Sequence, residues 1–320
     1  MIMLTVLVTG GSGLVGKAIE RKVQGGRFLE MGIQFVFLSS KEADLRNITE
    51  TRQIFEQYNP TYVIHLAARV GGLYKNLVSK VEMLSENLSI NQNVLQCCHE
   101  FGVTRCVNVS STCAFPNEIA NYPLKEEDMH SGPPHPSNEG YAYAKRVSEV
   151  LMRAYNEQYG HRYVTVIPTN VYGPHDNFDI EDAHVVPGLI HKCYKAKLQG
   201  TNLTICGSGK PLRQFIFSDD LAELLLWTLL QYTGSDSLIL APDRVDEVMI
   251  SDLACLIAQS MKFDEDRLIF DASQSDGQLR KTASNERLRK NLPGFTFTPL
   301  KLGIDATVKW FLENYESCRR

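Results

Sequence analysis

The sequence has no Cys-x-x-Cys pair, although it holds eight cysteines, at 97, 98, 106, 113, 193, 206, 255 and 318. That spacing excludes the usual zinc and dithiol redox motifs, and no metal site is expected. It has no long apolar run, so nothing in it is expected to cross a bilayer, and no membrane partner is expected. The N-terminal run Met1–Val8 gives way at once to Thr9-Gly10-Gly11, which is not the build of a secretory leader. The thiols are therefore expected to stay reduced in the cytoplasm. Excess positive charge is also missing: 33 Lys and Arg stand against 37 Asp and Glu, and the basic residues are scattered. Nucleic acid is not an expected partner. There is no internal repeat and no low-complexity stretch. What is left is 320 residues of ordinary globular composition, enough for a sizeable core.

The first chemistry-bearing stretch comes almost immediately. Leu4–Thr9 is β-branched and nearly all apolar, the pattern of a strand buried on both faces. It runs into Gly10-Gly11-Ser12-Gly13-Leu14-Val15-Gly16, and a helical pattern follows from Val15 to about Val23. Strand, glycine turn and helix in that order suit a dinucleotide. Gly10 permits the tight turn, Gly13 lets the backbone approach a pyrophosphate, and Gly16 lets the helix pack on the strand. The phosphates would rest on free N–H groups at the helix start, around Leu14 and Val15.

A second strand, Ile33–Leu38, ends in Ser39-Ser40-Lys41. An NAD site usually places a carboxylate there for the ribose hydroxyls. Hydroxyls and a cation at Ser40 and Lys41 suit a 2′-phosphate, so NADP(H) is the expected cofactor, with nearby Glu42 keeping NAD open. Asp44 either reaches the adenine or caps a helix starting near Thr49. The strand Tyr62–Ala68 ends in small residues, Leu66-Ala67-Ala68, that leave room for the cofactor ribose. His65 within it reads as a satisfied core histidine. A long helix at 80–101 and a strand at 103–109 follow, ending in Ser110-Ser111-Thr112-Cys113. Alternation at this rhythm predicts an α/β fold: a Rossmann-type doubly wound parallel sheet, with ligands beyond the strand ends. The proline-rich loop 114–140 leads to a helix at 139–159. Further on come strands at 161–167, 203–206, 213–216, 237–240 and 268–271, and helices at 187–198, 219–230, 250–262 and 300–318. The expected division is a cofactor domain over 1–172, to which segments near 214–245 return, and a smaller α/β substrate domain over 173–320.

Tyr141 and Lys145 sit four apart on the 139–159 helix. Such residues share a face, about 5–6 Å apart at Cβ. A nearby ammonium is expected to lower a phenol below its ordinary value of about 10. The pair can then pass a proton to a carbonyl oxygen or take one from an alcohol. Read alone, the spacing is commonplace, and Cys113, His184, Lys192, Arg213 and Lys281 each read equally well as ordinary core or surface residues.

Taken together, Gly10-x-x-Gly13-x-x-Gly16, His65–Ala68, Ser111 and Tyr141-x-x-x-Lys145 resemble the extended short-chain dehydrogenase/reductase family, which acts on nucleotide sugars. The resemblance covers essentially the whole chain. Ser111–Pro116, Pro168–Phe178, His184–Pro187 and Ser275–Thr282 narrow it to members that act on GDP-4-keto-6-deoxy-D-mannose. The resemblance implies that Ser111, Tyr141 and Lys145 form a reductase triad, and that Cys113 and His184 form an epimerisation pair. It implies that Pro168, Asn170, Val171 and His184 join the cofactor contacts, and that Asn170, Lys192, Arg213 and Lys281 hold the sugar or its diphosphate. It also implies a homodimer through the helices at 80–101 and 139–159. Two positions depart from the pattern. Cys206 stands where bacterial members typically carry tryptophan, and Ser12 where some members carry arginine. The competing readings are another nucleotide-sugar epimerase or dehydratase, which oxidises no free NADPH, and a non-catalytic NADP(H)-sensing protein.

Overall fold

The computed structural model describes residues 3–119 and 121–320. In chain order the elements are β1 (Leu4–Thr9), α1 (Leu14–Val23), α2 (Arg27–Glu30), β2 (Ile33–Leu38), α3 (Ile48–Tyr58) and β3 (Tyr62–His65). There follow α4 (Leu73–Val78), α5 (Lys80–Glu100), β4 (Arg105–Val109), α6 (Glu139–Tyr159), β5 (Val164–Pro168) and β6 (Asn170–Tyr172). Next come α7 (Val185–Gln199), β7 (Leu203–Cys206), β8 (Leu212–Arg213), β9 (Phe215–Phe217), α8 (Ser218–Leu230) and β10 (Leu238–Leu240). The chain ends with β11 (Val248–Met249), α9 (Ile250–Met261), β12 (Leu268–Asp271), α10 (Glu286–Asn291) and α11 (Leu300–Glu313).

Six parallel strands make the main sheet, in the order β10-β5-β4-β3-β1-β2. Successive side chains of a strand point to opposite faces, and β1 uses both. Val6 and Val8 pack with α1 and α8, alongside Ile64, Val107, Val166, Leu221 and Leu225. Leu7 packs on the other face with Phe55 of α3, Val94 and Leu95 of α5 and Met152 of α6. Covering both faces forces the near-continuous apolar runs seen in the strands. Phe55 is fully buried, and its replacement by alanine is expected to cost about 3–5 kcal/mol of stability. The chain leaves β1 for an outer strand, β2, and then crosses back to β3. The gap between the ends of β1 and β3 is thus the switch point at which such sheets bind ligands.

A second hydrophobic core gathers Phe178, Ile190 and Cys193 with Phe217, Leu253, Ile257, Ile304 and Phe311. Its strands pair in twos: β12 with β7, β11 with β8, and β6 with β9. Among the described residues no helix is long and apolar enough to cross a membrane.

Several expected elements need correction. The single strand expected at 213–216 is two, β8 and β9, in different sheets. Gln214 divides them: it is buried, its amide donates to Pro242 O and accepts from Ala283 N, and the chain changes sheets there. The strand expected at 62–68 ends at His65, the one at 161–167 starts at Val164, and the helix expected at 300–318 stops at Glu313. Short elements at α4, β6, β11 and α10 carry too little periodicity to be read from sequence.

Candidate active site

The glycine turn lies at the switch point. Gly10 has φ +69°, and a Cβ there would stand 2.9 Å from Ala67 N. A Cβ on Gly16 would stand 2.4 Å from Gly11 O. Both contacts require glycine. Gly13 caps α1 without a side chain, so the N–H groups of Leu14 and Val15 open the helix with no carbonyl behind them. Within the turn, Gly11 N donates to Leu38 O at 2.8 Å and Gly13 N to Gly10 O at 3.0 Å, so the donors left for a pyrophosphate are those at the helix start. Across the gap, Thr9 Oγ1 accepts from Ala67 N at 3.2 Å and donates to His65 Nδ1 at 2.7 Å. His65 Nε2 then donates to Asn91 Oδ1 at 3.0 Å. Burial, with the charge of Lys145 nearby, pushes this imidazole down to about 3. His65 is a satisfied neutral core histidine that fixes the loop Leu66–Ala68 beside the turn.

At the end of β2, Ser40 and Lys41 are exposed. Glu42 is turned back and accepts from Ser39 N at 2.7 Å and from Ser39 Oγ at 2.9 Å. The one carboxylate beside this strand end that suits ribose hydroxyls is thus already engaged. Asp44 does not cap a helix. Its carboxylate takes a bidentate grip on Arg46, at 2.9 and 2.8 Å, which holds it below its ordinary range. Asn47 caps α3 instead, accepting from Thr49 N.

Beyond β4 the chain makes a single helical turn over Thr112–Ala114, capped by Ser111, whose Oγ accepts from Cys113 N at 3.2 Å. Helix α6 packs against this turn. Lys145 is only 3 % exposed; it donates to Val109 O, the last carbonyl of β4, at 2.7 Å. Its ammonium lies 5.6 Å from the centre of the Tyr141 ring. Burial pushes Lys145 down to about 8. The expected lowering of the Tyr141 phenol is not what the structure gives. Burial, reinforced by the Cys113 sulfur, raises it above its ordinary value. Desolvation of the phenolate outweighs the ammonium one turn away. A phenol that keeps its proton is suited to donating it.

Cys113 is drawn the other way. Burial alone would raise its thiol, but the Lys281 ammonium and hydrogen bonds from Ser111, Lys281 and Asn138 leave it below its ordinary value. Lys281 Nζ donates to the sulfur at 3.5 Å. His184 caps α7. The residue as a whole is exposed, yet desolvation by the surrounding protein and the charge of Lys281 hold its imidazole below the usual value. Lys281 thus stands near both Cys113 and His184. Arg213 Nη2 donates to Gln278 O at 2.5 Å and Nη1 to Leu212 O at 2.8 Å; burial lowers it, and Cys113 is among the groups that face it. Asn170 follows Pro168 at the end of β5, where its amide donates to Gln214 O at 2.9 Å, with Val171 next along β6. Lys192 lies two turns into α7; among the described residues no hydrogen bond or ion pair joins it to the cluster.

Two residues escaped the sequence. Asn138 caps α6 by position but not by side chain; its amide turns to Cys113, and its Oδ1 is buried with no partner. An Asn before a helix reads as an N-cap, which hides this role. His135 faces Lys281 and Arg213 and lines a cleft of about 400 Å³ with Asn117, Tyr122 and residues 277–280. Nothing in the loop's composition singles it out.

A donor-lined glycine turn at the switch point and a Ser–Tyr–Lys cluster beyond the neighbouring strand end define a nucleotide-dependent oxidoreductase or epimerase. The chain belongs to the NAD dependent epimerase/dehydratase family, whose model matches residues 6–239. It is 54% identical to GDP-L-fucose synthase of Dictyostelium discoideum, over 99% of this chain and 98% of that one. It is 46% identical to the probable GDP-L-fucose synthase of Drosophila melanogaster, over 99% and 100%. Among solved structures, a GDP-L-fucose synthetase from Naegleria fowleri bound to NADP superposes with a TM-score of 0.92 at 45% identity, covering 100% of this chain and 97% of that one.

Proposed function

We propose that the chain converts GDP-4-keto-6-deoxy-D-mannose to GDP-L-fucose, by epimerisation at C3 and C5 followed by NADPH-dependent reduction of the 4-keto group. One observation carries the reading beyond the relatives' names: a thiol with an ammonium on it, Cys113–Lys281, lies beside the Ser111–Tyr141–Lys145 cluster. A reductase alone has no use for that thiol.

The residues present fit NADP(H). Gly10, Gly13, Leu14, Val15 and Gly16 would hold the pyrophosphate, and Ser40 and Lys41 the 2′-phosphate. Asp44 would border the adenine. Leu66, Ala67 and Ala68 would face the ribose, and Tyr141, Lys145, Pro168, Asn170, Val171 and His184 the nicotinamide end. When bound, NADPH supplies the hydride to C4. Tyr141 gives its proton to O4 as C4 accepts the hydride, and Ser111 hydrogen-bonds the same oxygen. Lys145, pinned to Val109 O, orients the ribose and compensates charge as Tyr141 ionises. Earlier in the cycle, the 4-keto group makes the C3 and C5 hydrogens acidic through an enolate at O4. Ser111 and Tyr141 stabilise that enolate, while Cys113 and His184 remove the proton from one face and return one to the other. Asn170, Lys192, Arg213 and Lys281 would bind the sugar and its diphosphate, with Arg213 offering paired donors.

Residues 1–172, joined by 214–245, form the cofactor domain in this reading, and the remainder of 173–320 the sugar-nucleotide domain. The chain acts as a homodimer in the cytoplasm. The exposed apolar residues Val81 of α5 and Tyr143, Val147 and Val150 of α6 support the dimer. The test is incubation with GDP-4-keto-6-deoxy-D-mannose and NADPH. Stoichiometric NADPH oxidation with the L-galacto configuration by NMR supports the reading. NADPH left unoxidised would mean a 4-epimerase, a dehydratase or a cofactor sensor.

A further inference from the structure

The segment that carries Lys281 crosses from one core to the other. It leaves β12 at Asp271, docks Asp276 on the 207–209 turn, where Ser208 N and Oγ both donate to it at 2.7 Å, and bridges to Leu212 at Arg280 and to Leu124 at Ala283. Between those two bridges the backbone is extended, so Arg280 and Thr282 project to one side and Lys281 to the other. The side taken by Arg280 and Thr282 is occupied by Glu247, a carboxylate whose side chain is only 8 % exposed. It receives Arg280 Nε at 3.2 Å on one oxygen and Arg280 Nη2 at 2.7 Å on the other, and also accepts from Thr282 Oγ1. Arg280 donates to Thr282 Oγ1 at 2.7 Å and lies over the Tyr122 ring. Tyr122 in turn donates to Arg280 O at 3.0 Å. Every partner of this grip lies at 280 or 282; none involves 281 itself.

We propose that Glu247 is a positioning residue: by clamping the two neighbours of Lys281 it holds the Lys281 ammonium on the Cys113 sulfur. The inference rests on the epimerase reading of Cys113, which it deepens. Lys281 has a flexible four-carbon stem, and an ammonium on such a stem reaches a thiol reliably only if its backbone is fixed. The clamp supplies that fixation with a bidentate Arg–carboxylate pair, whose planar geometry resists rotation. Glu247 touches neither the thiol nor any reacting atom, and its effect passes through the backbone at 281. The groups that face Cys113 are Lys281 from this segment, Arg213 from β8, Asn138 from the turn before α6, Tyr141 from α6 and Ser111 from its own turn. Of these, Lys281 and Arg213 are the cations, and the clamp governs Lys281.

The experiment is peptide-resolved alkylation of Cys113 by iodoacetamide across pH, on the full chain without substrate, for the parent, Glu247→Ala, Glu247→Gln, Glu247→Asp and Lys281→Met. Losing an ammonium 3.5 Å from the sulfur is expected to move the Cys113 midpoint up by about one pH unit. Lys281→Met and Glu247→Ala should both show that shift. Glu247→Gln, which keeps the volume and loses the charge, should shift in the same direction, and Glu247→Asp should recover part of the parent profile. A Glu247→Gln profile that superposes on the parent, while Lys281→Met shifts, overturns the clamp even if Glu247→Ala fails to fold. Deuterium wash-in at C3 and C5 of GDP-4-keto-6-deoxy-D-mannose separates the two claims. If the parent shows no wash-in but the alkylation shift is present, the epimerase reading fails and the clamp stands. If the parent washes in and Glu247→Gln alkylates as the parent does, the clamp fails and the epimerase reading stands.

Discussion

The two halves of the proposed site are built differently. The Ser111–Tyr141–Lys145 half hangs on the main sheet: one strand end, one helix, and an ammonium tied to the strand's last carbonyl. The Cys113 half draws on Cys113, Asn138, His184 and Lys281, four points spread over 168 residues and two cores. A group held by one helix and one strand is positioned as soon as the sheet folds. A group assembled from four segments depends on how the second core and its crossing segment sit. The first half therefore follows from the fold, and the second has to be held in place by extra contacts.

That difference can be broken from either side. Tyr141→Phe should lower NADPH oxidation most, by about 10²–10⁴-fold, as expected for loss of a general acid, with stopped-flow absorbance as the readout. Cys113→Ser should cut deuterium incorporation at C3 and C5 by roughly 10²-fold while NADPH oxidation continues on unepimerised sugar, read by NMR. Lys41→Glu touches neither half and should raise the KM for NADPH about tenfold, with little effect on NADH. The smallest effect belongs to the sheet itself. His65 is neutral in the folded chain and titrates near 3 there, against an ordinary 6.5. The unfolded chain thus binds the extra proton between those values, and stability falls as pH drops below about 6.5. In His65→Asn, urea midpoints at pH 5 and 7 should lie closer together than in the parent.

The same contrast governs how much the sequence discloses. Six buried strands, the glycine turn and the long helices are legible because one periodicity or one backbone conformation dictates each. Tyr141 and Lys145 are legible because a helix turns a four-residue step into a shared face. Even there spacing points to the wrong titration direction, because burial of the phenol cannot be seen from it. Cys113, His184 and Lys281 carry no local pattern, and only the family resemblance points to them. Asn138 was hidden behind its helix-capping position. Gln214, which splits an apolar run into two strands, was invisible because its partners, Pro242 and Ala283, lie 28 and 69 residues away.

The central claim is that the proton transfers at C3 and C5 belong to Cys113 and His184, while Tyr141 and Ser111 serve O4 in both steps and Tyr141 alone supplies the proton that completes the reduction. Its most direct test runs Tyr141→Phe and Cys113→Ser side by side in D₂O with GDP-4-keto-6-deoxy-D-mannose and NADPH, following the ratio of deuterium wash-in to NADPH oxidation. Because Ser111 still holds the enolate oxygen when the phenol is lost, the ratio is expected to rise in Tyr141→Phe and to fall in Cys113→Ser. A ratio that moves in the same direction in both variants would contradict it.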